Sequence, residues 1–165
     1  MANNFLEQLV TEWYEYRGYF VRRNVPVGRR FRGGYESELD VIAFNPATRH
    51  LVHLEPSMDA ESWETRERRF RKKFEAGRKH IRELFPGFDL PEEIEQIAIL
   101  IFASKANHPT LGGGQVLLVS DLMRDIMEEL SDKKISENAV PEHHALLRTL
   151  QLVVEYRRKV FPTLR

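Results

Sequence analysis

Asp40 and Glu55 are the acidic residues that stand out in this sequence, because each lies in an otherwise apolar segment. The segments are LDVI at residues 39–42 and VHLE at residues 52–55. An ionised carboxylate in apolar surroundings costs free energy unless hydrogen bonds or a cation compensate for the lost water. A divalent cation held by both carboxylates would do so. The alternative is that both side chains lie at strand ends, where they are solvated or paired with nearby arginines.

Two further acids and a histidine could contribute to such a site. Glu38 precedes Asp40 by two residues, so both point to the same face of a strand, and His53 has the same relation to Glu55. Glu12 lies on a predicted N-terminal helix. The chain has no cysteine, and oxygen ligands favour Mg²⁺ or Mn²⁺. Glu12 and His53 also have ordinary interpretations, as an exposed helix position and a hydrogen-bonded core histidine.

Basic residues are clustered, although 25 basic and 25 acidic residues give a formal net charge of zero. One cluster is the loop GRRFRGG at residues 28–34, which contributes Arg29, Arg30 and Arg32. Arginine beside an aromatic ring suits phosphate contact and base stacking, so this loop is a candidate nucleic-acid contact. Arg66 and Arg69, in the charged segment after residue 60, are further candidates. The alternative for that segment is a solvated helix face with intrahelical ion pairs.

The elements that must position these residues follow from apolar periodicity. Spacings of three and four residues indicate helices, and short β-branched or aromatic runs between turn residues indicate strands. The predicted elements are a helix at 5–17, strands at 19–25, 38–44 and 51–55, a long helix at about 60–84, strands at 97–103 and 115–119, a helix capped by Asp121, and a last helix at about 142–159. This order predicts a mixed α/β sheet, in which the hairpin of 38–44 and 51–55 brings Asp40 near Glu55.

Length and composition favour one domain. The chain has 165 residues, of which 42% are apolar, enough for one continuous core. It has no run of eighteen apolar residues, and its N-terminal segment carries acidic residues where a signal peptide would carry basic ones. We therefore expect a single domain over residues 1–165, with a core at about 5–119 and C-terminal helices at about 120–160. We also expect a cytoplasmic protein that has no membrane partner.

The order helix, three strands, helix, strand, with Asp on the second strand and Glu on the third, resembles the PD-(D/E)xK nucleases. This superfamily is also called restriction-endonuclease-like, and the chain is most similar to its resolvase-like members. The resemblance covers residues 5–119 and includes GYFVRRN at 18–24, ELDVI at 38–42 and LEPS at 54–57. It implies a core of order αβββαβ, followed here by a further strand and the C-terminal helices. It also implies that Asp40 and Glu55 bind Mg²⁺ or Mn²⁺, supported by Glu38 and by Glu12 of the first helix.

One position departs from that family. The family has a lysine two residues after the glutamate, where it positions or activates water, and this chain has Ser57 there. A serine supplies neither the positive charge nor the basic amine. In some members the lysine lies on the following helix, which makes Lys73, Arg66 and Arg69 candidates to replace it. The alternative is that these residues form only the solvated face of an amphipathic helix.

The resemblance predicts a Mg²⁺-dependent endonuclease that hydrolyses phosphodiester bonds in DNA, with the arginine-rich loop on the nucleic-acid backbone. Ser57 and the zero net charge favour the alternative, a catalytically inactive nuclease-fold protein that binds DNA or a partner protein. The last helix has an apolar face that either forms a homodimer or packs on the chain's own sheet. That face consists of Leu146, Leu147, Leu150, Val153 and Val154. His143 and His144, just before this helix, are expected to be exposed.

Overall fold

The computed structural model describes residues 4–104 and 106–163. Its helices are α1 (Phe5–Tyr16), α2 (Trp63–His80), α3 (Val119–Glu129) and α4 (Ala145–Val160). Its strands are β1 (Phe20–Arg29), β2 (Tyr35–Asn45), β3 (His50–Ser57), β4 (Glu95–Leu100), β5 (Thr110–Leu111) and β6 (Gly114–Leu118). Short 3₁₀ helices lie at Ile81–Leu84, Ile135–Glu137 and Phe161–Thr163.

The strands form one mixed sheet in the order β1-β2-β3-β4-β6-β5. The first three are a meander of antiparallel neighbours. The chain then crosses through α2 to β4, which pairs parallel with β3, and β6 in turn pairs parallel with β4. β4 is therefore central, and its residues from Gln96 to Leu100 are all buried, as the apolar run in the sequence indicates.

Helices cover both faces of the sheet. Trp13 of α1 and Leu147 of α4 pack in one cluster with Ile99 of β4 and with residues of α3. Phe74 of α2 packs with the next β4 residue, Leu100, in another cluster. Because successive residues of a strand face opposite sides, α2 lies on one face and the other three helices lie on the other. None of the described helices is both long enough and apolar enough to span a bilayer.

Side-chain caps fix where the first two long helices begin. Asn4 Oδ1 accepts a hydrogen bond from the backbone N–H of Leu6 at 3.0 Å, at the start of α1. Ser62 Oγ accepts one from the N–H of Thr65 at 3.3 Å. Such caps satisfy backbone donors that have no partner within the helix. α2 consequently begins at Trp63, three residues later than its apolar periodicity predicts.

The predicted α/β class and mixed sheet are confirmed, but several element bounds differ. β4 ends at Leu100 instead of Ala103, and α3 begins at Val119, so that Asp121 lies in its first turn and does not cap it. β1 is longer than predicted and runs through Pro26 to Arg29. It is an edge strand, where a proline is tolerated because one side of the strand needs no ladder hydrogen bonds. A two-residue strand, β5, precedes β6, because Gly112 and Gly113 adopt φ values of 60° and 88° and form a tight turn between them.

The apolar face of α4 packs on the chain's own core. Leu147 and Val154 are buried, and Leu146 and Leu150 pack against the cluster that contains α1. This is the second of the two alternatives for that face. The homodimer itself stays a prediction.

Candidate active site

Asp40 and Glu55 lie side by side where β2 and β3 run past each other. Val41 of β2 pairs with Leu54 of β3 in an antiparallel ladder. Asp40, just before Val41, is therefore the neighbour of Glu55, just after Leu54. The backbone N–H of Asp40 donates to Glu55 Oε1 at 3.2 Å. The Glu55 side chain is only 1% exposed and that of Asp40 16%. The structure thus brings together the two acids that the sequence singles out, and both are largely removed from water.

Both carboxylates line a pocket of about 350 Å³. Its walls come from the start of α1, the end of β3 and the segment after it, and α2. The other lining residues are Asn4, Glu7, Pro56, Ser57, Met58, Asp59, Arg69, Phe70 and Lys73.

Lys73 of α2 reaches both carboxylates. Its Nζ donates to Asp40 Oδ1 at 2.5 Å and also to Glu55 Oε2. Phe70 and Gly77, three residues before and four residues after Lys73, are both buried. Residues at these spacings share a helix face, so Lys73 lies on the face of α2 that packs on the sheet. The structure therefore selects one cation from the candidates on this helix.

The two carboxylates and the one ammonium carry an excess of negative charge. Burial, and then the Glu55 carboxylate, raise the pKa of Asp40 from 3.8 to about 7. Burial also raises the pKa of Glu55, despite the opposing effect of Lys73. Burial lowers the pKa of Lys73, but the charges of Glu55 and Asp40 outweigh it and raise that pKa above its usual value. A further positive charge in the pocket would relieve the repulsion between the carboxylates.

A buried chain of hydrogen bonds fixes the orientation of Glu55. His53 Nε2 lies 2.7 Å from Glu55 Oε1, and His53 Nδ1 lies 3.2 Å from Gln96 Nε2. Burial, and then the Lys73 charge, lower the pKa of His53 to about 3, so the imidazole is neutral. The amide nitrogen of Gln96 can only donate, so Nδ1 accepts and Nε2–H donates to Glu55. Arg78 donates to Gln96 Oε1 at 2.5 Å and continues the chain to the surface of α2. His53 is thus a hydrogen-bonded core residue that positions Glu55.

Gly77 allows α2 to lie close to His53. A Cβ atom at position 77 would be 2.3 Å from His53 Nδ1, well inside van der Waals contact. A larger residue would therefore move either the helix that carries Lys73 or the imidazole that holds Glu55.

Ser57, at the position of the family's lysine, belongs to a second hydrogen-bonded group. Its Oγ donates to Asp59 Oδ2 and accepts from Arg69 Nη2 at 3.2 Å. Arg69 also binds Asp59 directly and donates to Glu61 Oε2 at 2.6 Å. Partial burial raises the pKa of Asp59, but hydrogen bonds from Ser57 and Arg69 outweigh it and lower that pKa to about 2. Ser57 therefore helps to hold an arginine–carboxylate pair in the pocket wall.

Arg66 is buried rather than exposed, with a relative accessibility of 4%. Its Nε donates to Asp59 Oδ1 at 3.1 Å and its Nη2 to the Asp59 carbonyl at 2.9 Å. Its Nη1 donates to the Phe102 carbonyl at 2.6 Å. These bonds join the segment after β3 to the segment after β4. The prediction that Arg66 contacts nucleic acid loses its basis, because its guanidinium is committed to these internal contacts.

The first helix supplies Glu7, and not Glu12, to the pocket. Glu12 is 1% exposed, and its Oε2 accepts from the backbone N–H groups of Leu146 and Leu147 at 2.9 and 3.0 Å. It therefore satisfies donors at the start of α4 instead of facing Asp40. Glu7 lines the pocket, and burial, followed by the Asp40 charge, raises its pKa.

The remaining predicted site residues lie outside the pocket. Glu38 is exposed on β2 and pairs with Pro26 across the β1–β2 ladder, and it is not one of the residues that line the pocket. Arg29, Arg30 and Arg32 are exposed at the tip of the β1–β2 hairpin. Their guanidinium groups are accessible to a phosphate backbone, at a distance along the hairpin from the carboxylates.

Two acidic residues of the pocket, Glu7 and Asp59, were not identified as site residues from the sequence. Asn4 and Glu7 have the spacing of a capping box, and Asn4 Nδ2 donates to Glu7 Oε1 at 2.9 Å, so an acid in the first turn of α1 was identifiable. That this turn lies beside Asp40 depends on tertiary packing. Asp59 lies in a loop, and only its closeness to the end of a strand marks it.

The donor set of the pocket is of the kind that a hard divalent cation prefers. Asp40, Glu55 and Glu7 offer carboxylate oxygens, which suit Mg²⁺ and Mn²⁺. Burial and then the Glu55 charge raise the pKa of Asp40 to about 7, and a cation in the pocket would oppose both effects. The chemistry of Asp40 and Glu55 therefore fits such an ion, which these two residues would hold.

Neither protein-family models, nor curated proteins, nor solved structures gave a match to this chain. No family is therefore assigned by similarity. The geometry of the pocket and the order of the elements are the basis on which function can be inferred.

Proposed function

We propose that this protein is a Mg²⁺- or Mn²⁺-dependent nuclease that hydrolyses phosphodiester bonds in DNA. The observation that carries the proposal is the contact of Lys73 with both Asp40 and Glu55. Ser57 leaves the usual lysine position without a cation, and α2 supplies one to the same two carboxylates. An aspartate, a glutamate and a lysine on adjacent elements are the functional groups of a PD-(D/E)xK site.

The order of the elements supports the same proposal. The chain runs α1, β1, β2, β3, α2, β4, with the aspartate on β2 and the glutamate on β3. This is the αβββαβ order that the resemblance to restriction-endonuclease-like proteins implies. β6, α3 and α4 follow this core. The arrangement alone is compatible with several functions, so the side chains in the pocket carry more weight.

Each pocket residue has a role in this proposal. Asp40 and Glu55 would hold the cation, which when bound supplies Lewis-acid stabilisation of the scissile phosphate and of an attacking water. Lys73 orients that water by a hydrogen bond, and its charge stabilises the negative charge that develops on the phosphate. His53 keeps Glu55 in position. Arg69, partly exposed beside Asp59, is placed to contact the substrate backbone.

The exposed arginines of the hairpin tip extend this surface for DNA. Arg29, Arg30 and Arg32 would contact phosphates away from the cleavage site and position the substrate without reading its sequence. Because the whole chain has no net charge, the attraction comes from this local cluster and should be sensitive to salt.

A second candidate function is a catalytically inactive nuclease-fold protein that binds DNA or a partner. The hydrogen bonds of Ser57 favour it, since this residue is committed to Asp59 and Arg69. The tight contact of Lys73 with both carboxylates favours it as well, because an ammonium paired in this way is also a stable substitute for a metal ion. The two candidates differ in one respect: only the nuclease requires a cation at Asp40 and Glu55.

The first experiment is calorimetric titration of Mn²⁺ into EDTA-treated, untagged protein, followed by cleavage assays with plasmid and single-stranded DNA on the same samples. Asp40→Asn should abolish Mn²⁺ binding and cleavage together. Lys73→Met should abolish cleavage and retain Mn²⁺ binding. Lys72→Met is the matched control, because Lys72 is the exposed neighbour on the same helix, and it should behave like the wild type.

Two outcomes would contradict the proposed nuclease activity. Wild-type protein that binds no Mn²⁺ has no metal site at these carboxylates, and metal-independent DNA binding would then favour the inactive module. Cleavage that survives Asp40→Asn belongs to a contaminant or to another site.

A further inference from the structure

A second group of side chains that could hold a metal ion lies near the end of α1, whereas the pocket lies at its start. Glu15 near the end of α1 approaches His143 and His144 at the start of α4, and one ligand atom from each lies within 4.8 Å of the others. Among the described residues, this is the only group of three histidine, aspartate or glutamate side chains whose ligand atoms lie that close together. It combines two imidazoles with one carboxylate, a different donor set from the acidic pocket.

His144 is the buried member of the group, and its Nε2 is the nitrogen that faces Glu15. The expectation that both histidines are exposed is correct for His143 and wrong for His144, which is 3% exposed. Its Nε2 lies 3.1 Å from Glu15 Oε2. Two ligands of one tetrahedral ion, each at about 2.0–2.1 Å from it, lie about 3.3 Å apart, so the separation of Nε2 and Oε2 suits a shared ion. The other ring nitrogen of His144, Nδ1, is buried and has no hydrogen-bond partner among the described residues.

The electrostatics of the junction also suit a cation. The start of a helix carries a partial positive charge that repels cations. At α4, however, the carboxylate of Glu12 accepts the backbone N–H groups of Leu146 and Leu147. Glu15 adds a second carboxylate one turn further along α1. Two negative charges therefore face the amino end of α4, and they offset the helix dipole.

We propose that Glu15, His143 and His144 form a binding site for Zn²⁺ or a similar borderline transition-metal ion. Imidazole nitrogens suit these ions better than Mg²⁺, and three protein ligands leave a fourth tetrahedral position for water. The bound ion joins the last turn of α1 to the first turn of α4. It is distinct from the ion proposed for Asp40 and Glu55, and it stabilises the contact between the two helices.

The test uses untagged, EDTA-treated Asp40→Asn protein, in which the acidic pocket lacks a ligand, so that ions bound there do not confuse the count. Calorimetry with Zn²⁺ should give one ion per chain, and Co²⁺ should give the visible absorption of a four-coordinate site. Adding His143→Ala or Glu15→Gln should weaken Zn²⁺ binding by more than about tenfold, since even the loss of an outer partner costs about that much. Both positions are exposed, so both variants should fold.

His80→Ala is the matched control, since His80 also lies between two carboxylates, those of Glu36 and Glu83. Its Zn²⁺ affinity should equal that of the parent protein. Zn²⁺ should also raise the Tm of the parent and of the control, and not that of His143→Ala. The proposal fails if the parent binds no Zn²⁺, or if His143→Ala and Glu15→Gln bind it as tightly as the parent does.

Discussion

Asp40→Asn removes one charge from the pocket and keeps a side chain of nearly the same size. In the folded protein the pKa of Asp40 is raised from 3.8 to about 7, by burial and then by the Glu55 charge. An acid with a raised pKa in the folded state binds its proton more tightly there, so its ionisation favours the unfolded chain. The stability contributed by protonated Asp40 is complete below about pH 4 and is lost as the pH rises through 7. We therefore expect metal-free wild-type protein to lose stability over this range.

The size of the pKa shift sets the upper limit of the stability that Asp40→Asn can gain. About three pKa units correspond to about 4 kcal/mol of unfolding free energy at pH 8. This shift already includes the attraction of Lys73, whose Nζ lies 2.5 Å from Asp40 Oδ1. Replacing the acid by an amide also changes the hydrogen bonds of the pocket, which offsets part of the gain. We expect metal-free Asp40→Asn to be more stable than wild type by about 1–3 kcal/mol at pH 8, and by about 1 kcal/mol or less at pH 5.

Urea unfolding in EDTA, followed by far-UV circular dichroism at pH 5 and pH 8, measures this difference. Mn²⁺ at 1,000 times its Kd should reverse the order, because it stabilises the wild type by about 4.1 kcal/mol and the variant lacks a ligand. Glu38→Gln, which changes an exposed acid on the same strand, is the control and should leave both curves unchanged. A variant that is less stable than wild type at pH 8 without metal would refute the reasoning that the pocket holds unfavourable charge.

Four further predictions follow from the contacts of α2 and the hairpin. Lys73→Met should lower the cleavage rate by about 10²–10⁴-fold in plasmid assays; a smaller loss would mean that the ammonium only balances charge. Gly77→Ala should lower the unfolding free energy in urea by about 1–3 kcal/mol, because the added methyl lies 2.3 Å from a buried ring nitrogen; an unchanged midpoint would contradict this. Arg66→Ala should lower the unfolding free energy in urea by about 2–3 kcal/mol. Arg30→Ala should leave stability unchanged and reduce the salt dependence of DNA binding by about one unit of slope, and an unaltered slope would remove the hairpin from the DNA contact.

The strand hairpin that brings Asp40 to Glu55 was predictable, because its signals are local. Alternating apolar residues and an Asn-Pro turn specify two neighbouring strands, and the positions of the acids on them follow. The sequence identified Lys73 only as one of several candidate cations on a charged helix. The turn of α2 that faces the pocket depends on how the helix packs, and the close approach at Gly77 is part of that packing.

Glu12 and Arg66 show why the rest of the site could not be predicted. Both occupy positions on charged, amphipathic helices, where a charged residue is expected to be exposed or functional. Both are instead buried, and each has a partner that lies far away in the sequence. The partner of Glu12 is 134 residues distant, and the Phe102 carbonyl that binds Arg66 is 36 residues distant. No local pattern encodes contacts of this kind.

The pocket is divided between two layers of the fold, with the carboxylates on β2 and β3 and the ammonium on α2. Loosening of α2 would withdraw the ammonium and leave the two carboxylates in their sheet, still able to hold an ion. For the proposed nuclease, this division means that a partly unfolded molecule would keep its cation and lose its ability to cut. Catalysis would then report on the intact docking of α2, and a damaged or incompletely folded chain would be harmless to the DNA around it.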